Sequence, residues 1–314
     1  MKRKMLNVPK GGYDGMKGFT IVEFLVAGLL SIIVLIAVVS SYFTSRKLND
    51  AANERLAIQQ DLRNAATLIV RDARMAGSFG CFNMSEHTEK DVVFDVAQKN
   101  RPFSLKKGSS ANTNKLIPIA ESLNIGYQGF AQVRPALIFQ YGIDDVNASA
   151  ETTVVSSCGV ISKPGKQIPT LEDAKKELKI QNSGKEQNGN IARQRHVVNA
   201  YAVGRIAGEE GLFRFQLDDK GKWGNPQLLV KKVKRMDVRY IYVFGCPEDA
   251  GKEEQFKYTD KFDKSRDAVT PAGVEVLLDS GLDAKIAASS DNSIYAYRIN
   301  ATIRGGNVCA NRTL

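Results

Sequence analysis

The sequence contains few of the residues from which most catalytic and metal sites are built. Its 314 residues include two histidines, one tryptophan and four cysteines. His87 and His196 lie in no HExxH motif and not at ligand spacing from a cysteine, and no CxxC pair occurs, so a zinc site is not expected. A GxSxG nucleophile elbow is also missing. The sequence therefore predicts no catalytic or metal-binding residues, and we expect that the protein is not an enzyme.

A phosphate-binding loop is missing as well. The nearest candidate, Gly159 to Lys166, has one residue too many between its glycines, and Gln167 stands where such a loop requires Ser or Thr. No cofactor is therefore expected.

Long apolar runs are scarce, with one exception. The twenty residues from Phe24 to Phe43 contain no charge, whereas the chain after Thr44 has an ordinary soluble composition. The whole chain is 43% hydrophobic with a mean hydropathy of -0.25, which excludes a polytopic membrane protein. Because a buried core helix rarely has such a run at the extreme N-terminus, the run predicts a single membrane span.

Charges on the two sides of this run predict its orientation. Acidic and basic residues are mixed behind it, whereas residues 1–18 ahead of it have one acid, Asp14, against Lys2, Arg3, Lys4, Lys10 and Lys17. Because basic residues stay in the cytoplasm, we expect a single-pass inner-membrane protein with a cytoplasmic N-terminus and a periplasmic head. Without residues 1–18 the chain has 39 basic and 33 acidic residues, so its formal net charge is +6. This charge permits contact with nucleic acid or anionic lipid but does not indicate it.

The four cysteines, Cys81, Cys158, Cys246 and Cys309, all follow the apolar run and hence lie on the oxidising side of the membrane. Two disulfide bonds are the expectation there, and four free buried thiols are the less favoured alternative. The sequence leaves three connectivities open. We favour Cys81 with Cys158 and Cys246 with Cys309.

The start of the apolar run differs from that of an ordinary secretory signal. Such a signal has its small-residue cleavage site after the apolar stretch, whereas here Gly18 directly precedes it. Glu23 is also unusual, because a carboxylate near the start of a membrane helix is costly and needs a partner or a position at headgroup level. The alternative is a glutamate that is favoured at the helix entry by the N-terminal dipole.

The row KGFTIVEFLVAGLLS, residues 17–31, resembles the class III signal of type IV pilins and pseudopilins. The resemblance implies a leader over 1–18 that a prepilin peptidase removes on the cytoplasmic side, between Gly18 and Phe19. It also implies that the new amino group of Phe19 is N-methylated and that Glu23 is the glutamate of the family motif. We hypothesise that Glu23 meets the amine of its own chain or of a neighbour, and so registers subunits in a helical polymer.

The helical pattern continues beyond the apolar run. No proline interrupts residues 44–76, Gly77 supplies a stop, and apolar residues recur at steps of three, four and seven, namely Leu48, Ala51, Ile58, Leu62, Ala65, Ile69, Ala73 and Ala76. We therefore expect one helix over 19–76, about 85 Å long at 1.5 Å per residue, with 19–43 in the membrane and 44–76 in the periplasm. The stripe suits packing onto a sheet, and a coiled-coil dimer is the alternative.

Residues 77–314 are expected to form a β-rich head with long loops. Strict alternation predicts a half-buried antiparallel strand from Tyr295 to Arg304. Apolar and polar residues alternate at 213–217, and a turn follows at 218–221. If the segment 228–244 then runs back beside the first, the three together form a hairpin or meander. Further strands are predicted at 91–96, 136–143, 152–161 and 197–206, a short helix at 171–180, and polar loops at 99–115, 181–195 and 249–270. The expected fold class is α+β, pilin-like, with the long helix packed on an antiparallel sheet.

Three further sequence segments are similar to the PilW/PilJ branch of the type IV minor pilins, the counterpart of the J-type pseudopilin of type II secretion. They are RDARMAGSFGCF at 71–82, VVSSCGVIS at 154–162 and LVKKVKRMDVRYIYVFG at 229–245. The resemblance implies a low-abundance pilin that joins other core minor pilins, primes type IV pilus assembly and ends near the pilus tip or base on the cell surface, as part of the fimbrium. The implied partners are those minor pilins, the major pilin, the inner-membrane assembly platform, the prepilin peptidase, a tip adhesin and the lipid bilayer. The Lys-rich insertions and four cysteines depart from the branch, so loop properties are not carried over.

Two alternative functions stay open. The first is a type II secretion pseudopilin at the tip of a pseudopilus, which would have the same leader, membrane helix and β-rich head. A DNA-binding minor pilin for transformation is suggested by the basic run from Lys231 to Arg235, with Tyr240 and Tyr242 nearby. On a strand these basic residues would divide between two faces, so we favour a solvated edge, and nucleic acid is not an expected partner.

Overall fold

The computed structural model describes residues 18–93, 116–180, 190–244, 255–260, 270–279, 297–304 and 306. The chain divides into two compact units, Met1–Ala57 and Ile58–Leu314. The described residues form a long N-terminal helix and a β-rich region, which is an α+β architecture as expected from the sequence. The leader up to Lys17 and the predicted loop at 99–115 lie outside the described residues.

The first element is α1, an unbroken helix over Ile21–Met75. Its bounds agree with the predicted 19–76 to within two residues at the start and one at the end. The helix is long and apolar enough to cross a membrane, and its side chains are exposed as far as Ala57. Gly77 follows it with a left-handed φ of +78°, and the Gly77 N–H donates to the Gln140 carbonyl oxygen at 2.8 Å.

The end of α1 packs one face into the main core of the second unit. The buried apolar residues of the helix recur at steps of three or four, as an amphipathic helix requires, and are Ile58, Leu62, Ala65, Ile69 and Ala73. Together with Ala76, just after the helix, they share this core with apolar side chains from two β-sheets, including Leu137, Tyr201 and Val276. Asp72 is buried on the same face. Leu48, which continues the predicted stripe, is exposed.

The strands of the described residues are β1 (Ser78–Phe79), β2 (Phe82–Asn83), β3 (Val92–Val93), β4 (Ile119–Ser122), β5 (Phe130–Gln132), β6 (Ala136–Ile143), β7 (Thr153–Ser156), β8 (Ile161–Ser162), β9 (Ala192–Ile206), β10 (Glu209–Leu217), β11 (Trp223–Lys231), β12 (Arg235–Phe244), β13 (Gln255–Thr259), β14 (Gly273–Asp279) and β15 (Tyr297–Thr302). A short helix, α2, spans Leu171–Glu177. Strands β3 to β11 form a nine-stranded sheet, β12 to β15 form a four-stranded sheet, and β1 pairs with β2.

Strand β9 is the centre of the nine-stranded sheet. Its fifteen residues pair with β10 along one edge and with β5, β6 and β7 in succession along the other. Tyr201 and Val203 face the core that holds α1, whereas Ala200 and Ala202 face a second apolar cluster with Phe213. Because both faces are covered, β9 is buried almost throughout, which is why its residues do not alternate between apolar and polar.

The four-stranded sheet has the order β13-β12-β14-β15, with every pair antiparallel. Its inner face supplies Met236, Tyr240, Val274 and Ile299 to the main core. On β15, Ile299 and Ala301 are buried, whereas Arg298, Asn300 and Thr302 are exposed, so the half-buried strand predicted from Tyr295 to Arg304 is confirmed over Tyr297–Thr302 and ends two residues earlier than predicted.

Several predicted elements are confirmed. Strand β6 has the predicted bounds of 136–143, and α2 lies within the predicted 171–180, with Thr170 capping its start by accepting the Asp173 N–H at 3.1 Å. Strand β9 contains the predicted 197–206, and β10 contains 213–217. The turn between β10 and β11 closes at Asp218, whose carbonyl oxygen accepts the Gly221 N–H at 2.9 Å.

Other predictions were wrong in their bounds. The predicted loop at 181–195 is wrong at its end, because β9 begins at Ala192. The predicted return over 228–244 is two strands in different sheets, since Lys232 adopts a left-handed φ of +62° and turns the chain from β11 to β12. The polar stretch at 249–270 contains β13, and β4, β5 and β14 were not predicted.

Candidate functional site

The residues predicted to form the processing junction lie at the start of α1. Gly18 and Phe19 precede the helix, and both are exposed. Glu23 forms a capping box with Thr20, because its Oε2 accepts the Thr20 N–H and the Thr20 hydroxyl, each at 3.0 Å, while the Glu23 N–H donates to Thr20 Oγ1 at 3.3 Å. In the chain with its leader, the Glu23 carboxylate therefore caps the helix by accepting the N–H and hydroxyl of Thr20.

This geometry places the Glu23 carboxylate close to the bond that the resemblance identifies as the cleavage site. Thr20, whose N–H it accepts, is joined directly to Phe19, which would carry the new amino group. Cleavage after Gly18 would thus create a cation within one residue of an existing carboxylate contact. The carboxylate can then either keep Thr20 or bind an amine.

A second site, which the sequence analysis did not identify, surrounds Asp72 on α1. This carboxylate is fully buried. Its Oδ1 accepts the Tyr141 hydroxyl at 2.9 Å, and its Oδ2 accepts the Tyr201 hydroxyl at 2.7 Å and the Asn199 amide at 2.9 Å. Arg214 Nη2 lies 3.4 Å from the same oxygen. The network therefore attaches the helix to β6, β9 and β10 at once.

Burial and the Asp72 carboxylate together change the titration of its tyrosine partners. They raise the pKa of Tyr141 to about 12, and they raise the pKa of Tyr201 still further. Both phenols therefore remain protonated donors at any physiological pH. Since Asp72 has no exposed surface, no substrate can reach it, and the network is suited to holding the helix rather than to catalysis.

The spacing along α1 could have identified this site. Asp72 lies three residues after Ile69 and four before Ala76, which places it on the buried face although it is charged. Arg214 was less accessible to sequence reasoning. It alternates with Phe213 and Phe215, and these face the second apolar cluster, so Arg214 points to the helix and not to solvent.

The two histidines lie apart and have different environments. His196 is buried on β9, where its Nε2 contacts the Gln140 side-chain oxygen at 3.1 Å and its ring packs edge-on against Phe79. Burial lowers the pKa of His196 to about 3, so it is neutral. His87 stacks on Phe82. Within the described ranges no three His, Cys, Asp or Glu side chains are arranged to hold a metal ion.

A disulfide bond joins Cys81 to Cys158, with the sulfur atoms 2.02 Å apart and the Cα atoms 4.6 Å apart. It links the turn between β1 and β2, just after α1, to the turn between β7 and β8. This is the pairing that was favoured from the sequence. Cys246 and Cys309 lie outside the described residues.

The basic run from Lys231 to Arg235 spans the turn between the two sheets, with Lys231 at the end of β11 and Arg235 at the start of β12. Lys231 lies 3.8 Å from Glu209, and Arg235 lies 2.7 Å from Asp237. Tyr240 is fully buried and its hydroxyl donates to Glu121 at 2.6 Å, so it is not available to stack on a base.

Comparison with known proteins supplies no relative. No family model, no curated protein and no solved structure matches the chain. A family assignment therefore remains a proposal, which depends on the sequence rows quoted above and on the architecture of the chain.

Proposed function

We propose that the protein is a minor type IV pilin that joins other core minor pilins in a membrane complex that primes pilus assembly. The observation that carries the proposal is α1 itself. One helix without a break begins just after the predicted cleavage site, has an exposed apolar segment of membrane-spanning length, and ends packed into a β-rich unit. If subunits polymerise through the apolar segment of α1, the β-rich unit remains available for specific contacts with other proteins.

The Asp72 network supports this proposal energetically. A subunit that is held in a polymer by its helix needs that helix to stay attached to its head. Apolar packing alone permits sliding, because apolar contacts have little directionality. The buried Asp72 carboxylate accepts hydrogen bonds from three strands, and this fixes the position of the helix along the sheet. A shift of the helix by one turn would leave the charge buried without its donors.

Glu23 has a role in assembly under this proposal. After cleavage its carboxylate exchanges the Thr20 contacts for the amine of Phe19, in its own chain or in a neighbouring one. An ion pair in a lipid environment is costly to break, so the pairing selects one register between adjacent helices. Neighbouring helices with apolar surfaces alone would lack this selection.

The partners and location follow from the same proposal. The protein starts as a single-pass inner-membrane chain, is cut by the prepilin peptidase, and joins other minor pilins and the major pilin at the assembly platform. It is then carried to the pilus, where a tip adhesin is a further partner. The protein has no active site of its own under this proposal.

The test of the proposal is deletion of the protein, followed by counting of surface pili and measurement of exoprotein secretion in the same cells. Loss of pili with intact secretion supports the priming role. Intact pili with lost secretion would support the alternative, a type II secretion pseudopilin. Normal values for both would contradict both functions.

Glu23→Val tests the registering role, and Thr20→Val is its matched control. The control removes the Thr20 hydroxyl but keeps the carboxylate and the main-chain N–H of residue 20. We expect Glu23→Val to abolish piliation and Thr20→Val to leave most of it. Equal loss in the two variants would mean that Glu23 acts only as a helix cap.

The DNA-binding alternative requires its own measurement. Its motivation is the basic run from Lys231 to Arg235, because Tyr240 is buried. If the protein binds DNA and affinity persists when Lys231, Lys232, Lys234 and Arg235 are all replaced by Gln, this motivation is removed.

A further inference from the structure

Four segments of the sequence have the pattern Asn-x-Ser or Asn-x-Thr, with no proline between the two residues. Their asparagines are Asn83, Asn147, Asn300 and Asn311. In a chain that is exported across a membrane, this pattern is the acceptor for N-linked glycans. Asn311 lies outside the described residues, and the environments of the other three differ.

Asn147 lies on an exposed turn between β6 and β7. The Asp145 carbonyl oxygen accepts the Ala148 N–H at 3.3 Å, which closes the turn and places Val146 and Asn147 at its tip. The Asn147 main-chain N–H donates to Asp145 Oδ1 at 2.9 Å. Its carboxamide, by contrast, forms no hydrogen bond with any residue that the structure describes. Because Asn147 is also exposed, its amide nitrogen is accessible from solvent.

Asn83 uses its carboxamide inside the fold. Its Oδ1 accepts the Ser85 N–H at 3.3 Å, and its Nδ2, the atom that would carry a sugar, donates to Glu86 Oε1 at 2.9 Å. Met84, the middle residue of this segment, is fully buried. A glycan on Asn83 would therefore require these contacts to be broken.

Asn300 is exposed but lies within β15, whose main chain pairs with β14. A glycosyltransferase draws the acceptor segment into its own active site, so it would have to detach Asn300 from the sheet. Residues 147–149 belong to no strand and have no sheet pairing to lose. Among the three described asparagines, Asn147 is thus the one that the fold leaves available.

We propose that Asn147 carries an N-linked oligosaccharide. The donor is an oligosaccharide that is joined through a diphosphate to a membrane lipid. The Asn147 Nδ2 forms a bond to the anomeric carbon of the first sugar, and the bond from that carbon to the diphosphate oxygen breaks. The lipid diphosphate leaves, and one proton of the amide is lost to solvent. A glycan there would also shield Val146, which is 85% exposed.

The inference rests on the proposed location of the head outside the cytoplasm and not on the role in pilus assembly. The disulfide bond between Cys81 and Cys158 agrees with this location, because disulfides persist in oxidising compartments. The state of the two cysteines therefore reports the location independently of any glycan.

The experiment is glycopeptide mass spectrometry of the full chain isolated from the membranes of its native cells. We expect sugar residues on the peptide that contains Asn147, and none on the peptides that contain Asn83 and Asn300. The same digest, made after alkylation of free thiols, shows whether Cys81 and Cys158 are bonded.

Two variants of Ser149 test the acceptor chemistry without changing Asn147. Ser149→Ala removes the hydroxyl of the acceptor pattern and is expected to lower the glycosylated fraction about tenfold or more. Ser149→Thr is the matched control, because it keeps a hydroxyl, and its glycosylated fraction should stay within about twofold of the original. Formation of the Cys81–Cys158 disulfide in each variant shows that the head has folded.

An unmodified Asn147 in the native protein overturns the inference. If Cys81 and Cys158 are bonded in that protein, the location stands and the inference alone fails, whereas free thiols would mean that the proposed location fails as well. The inference is also overturned if the modification persists in Ser149→Ala, or if the sugar is attached to Asn83 or Asn300 in place of Asn147.

Discussion

The buried network around Asp72 allows one prediction to be worked out in detail. Asp72→Asn keeps the size of the side chain and removes its charge. The carboxylate accepts from donors on both oxygens, Tyr141 on Oδ1 and Tyr201 and Asn199 on Oδ2. An asparagine accepts on one atom only, so its amide group must face at least one of these donors.

The magnitude follows from the loss of a buried charge pair. Arg214 lies 3.4 Å from the Asp72 carboxylate, and its side chain is 14% exposed, so it loses its charge partner with little solvent to replace it. Removal of one member of a buried pair costs about 3–5 kcal/mol. We therefore expect the free energy of unfolding of the head to fall by about 3–5 kcal/mol.

The assay is equilibrium unfolding in urea of the detergent-solubilised full chain, with the fluorescence of Trp223 as the signal. Trp223 is the single tryptophan, and it packs against the apolar cluster on the other face of the nine-stranded sheet. The matched control is Asp61→Asn, a half-buried position on the same helix, with an expected change of no more than about 0.5 kcal/mol. If Asp72→Asn cost less than about 1 kcal/mol, or no more than the control, the reasoning would be refuted.

Three further predictions follow from the described contacts. His196 is neutral in the fold, with a pKa of about 3, whereas an unfolded histidine titrates near pH 6.5. The free energy of unfolding should therefore be highest above pH 6.5 and fall by about 1.4 kcal/mol for each pH unit below it. His196→Gln should abolish this contribution when unfolding is measured from pH 7 to pH 5. Cys158→Ser should lower the free energy of unfolding by about 4 kcal/mol in the same assay, because Cys81 and Cys158 close a loop with a sequence separation of 77, and an unchanged value would contradict this. Gly77→Ala should lower the thermal midpoint, with a cost of about 1–2 kcal/mol, because φ is +78° and the added methyl group would lie 3.0 Å from Pro118 Cβ; an unchanged midpoint would mean that the turn adapts.

The helix and several strands could be predicted from the sequence because their patterns are local. The bounds of α1 follow from the absence of proline and from Gly77, and β15 alternates strictly because only one of its faces is covered. Strand β9 was harder to delimit, because it is covered on both faces and has no alternation to mark its start at Ala192.

The Asp72 network could not be predicted in the same way. The network joins Asp72 to residues 69 to 142 positions later in the chain, and no local pattern contains such a relation. The alternation at 213–217 shows that Arg214 and its apolar neighbours face opposite sides of the strand, but not which side faces the helix. Strand β13, which pairs with β12 as far as Thr259, was also missed, because it lies in a stretch whose polar composition predicted a loop.

The central claim is most directly tested at the processing junction. The measurement is the intact mass and N-terminal peptide of the protein isolated from membranes of cells with and without prepilin peptidase. The account predicts a mature chain that starts at N-methylated Phe19 only when the peptidase is present. A chain that keeps its leader in both cells, or that is cut beyond the apolar run, would contradict the assignment as a pilin.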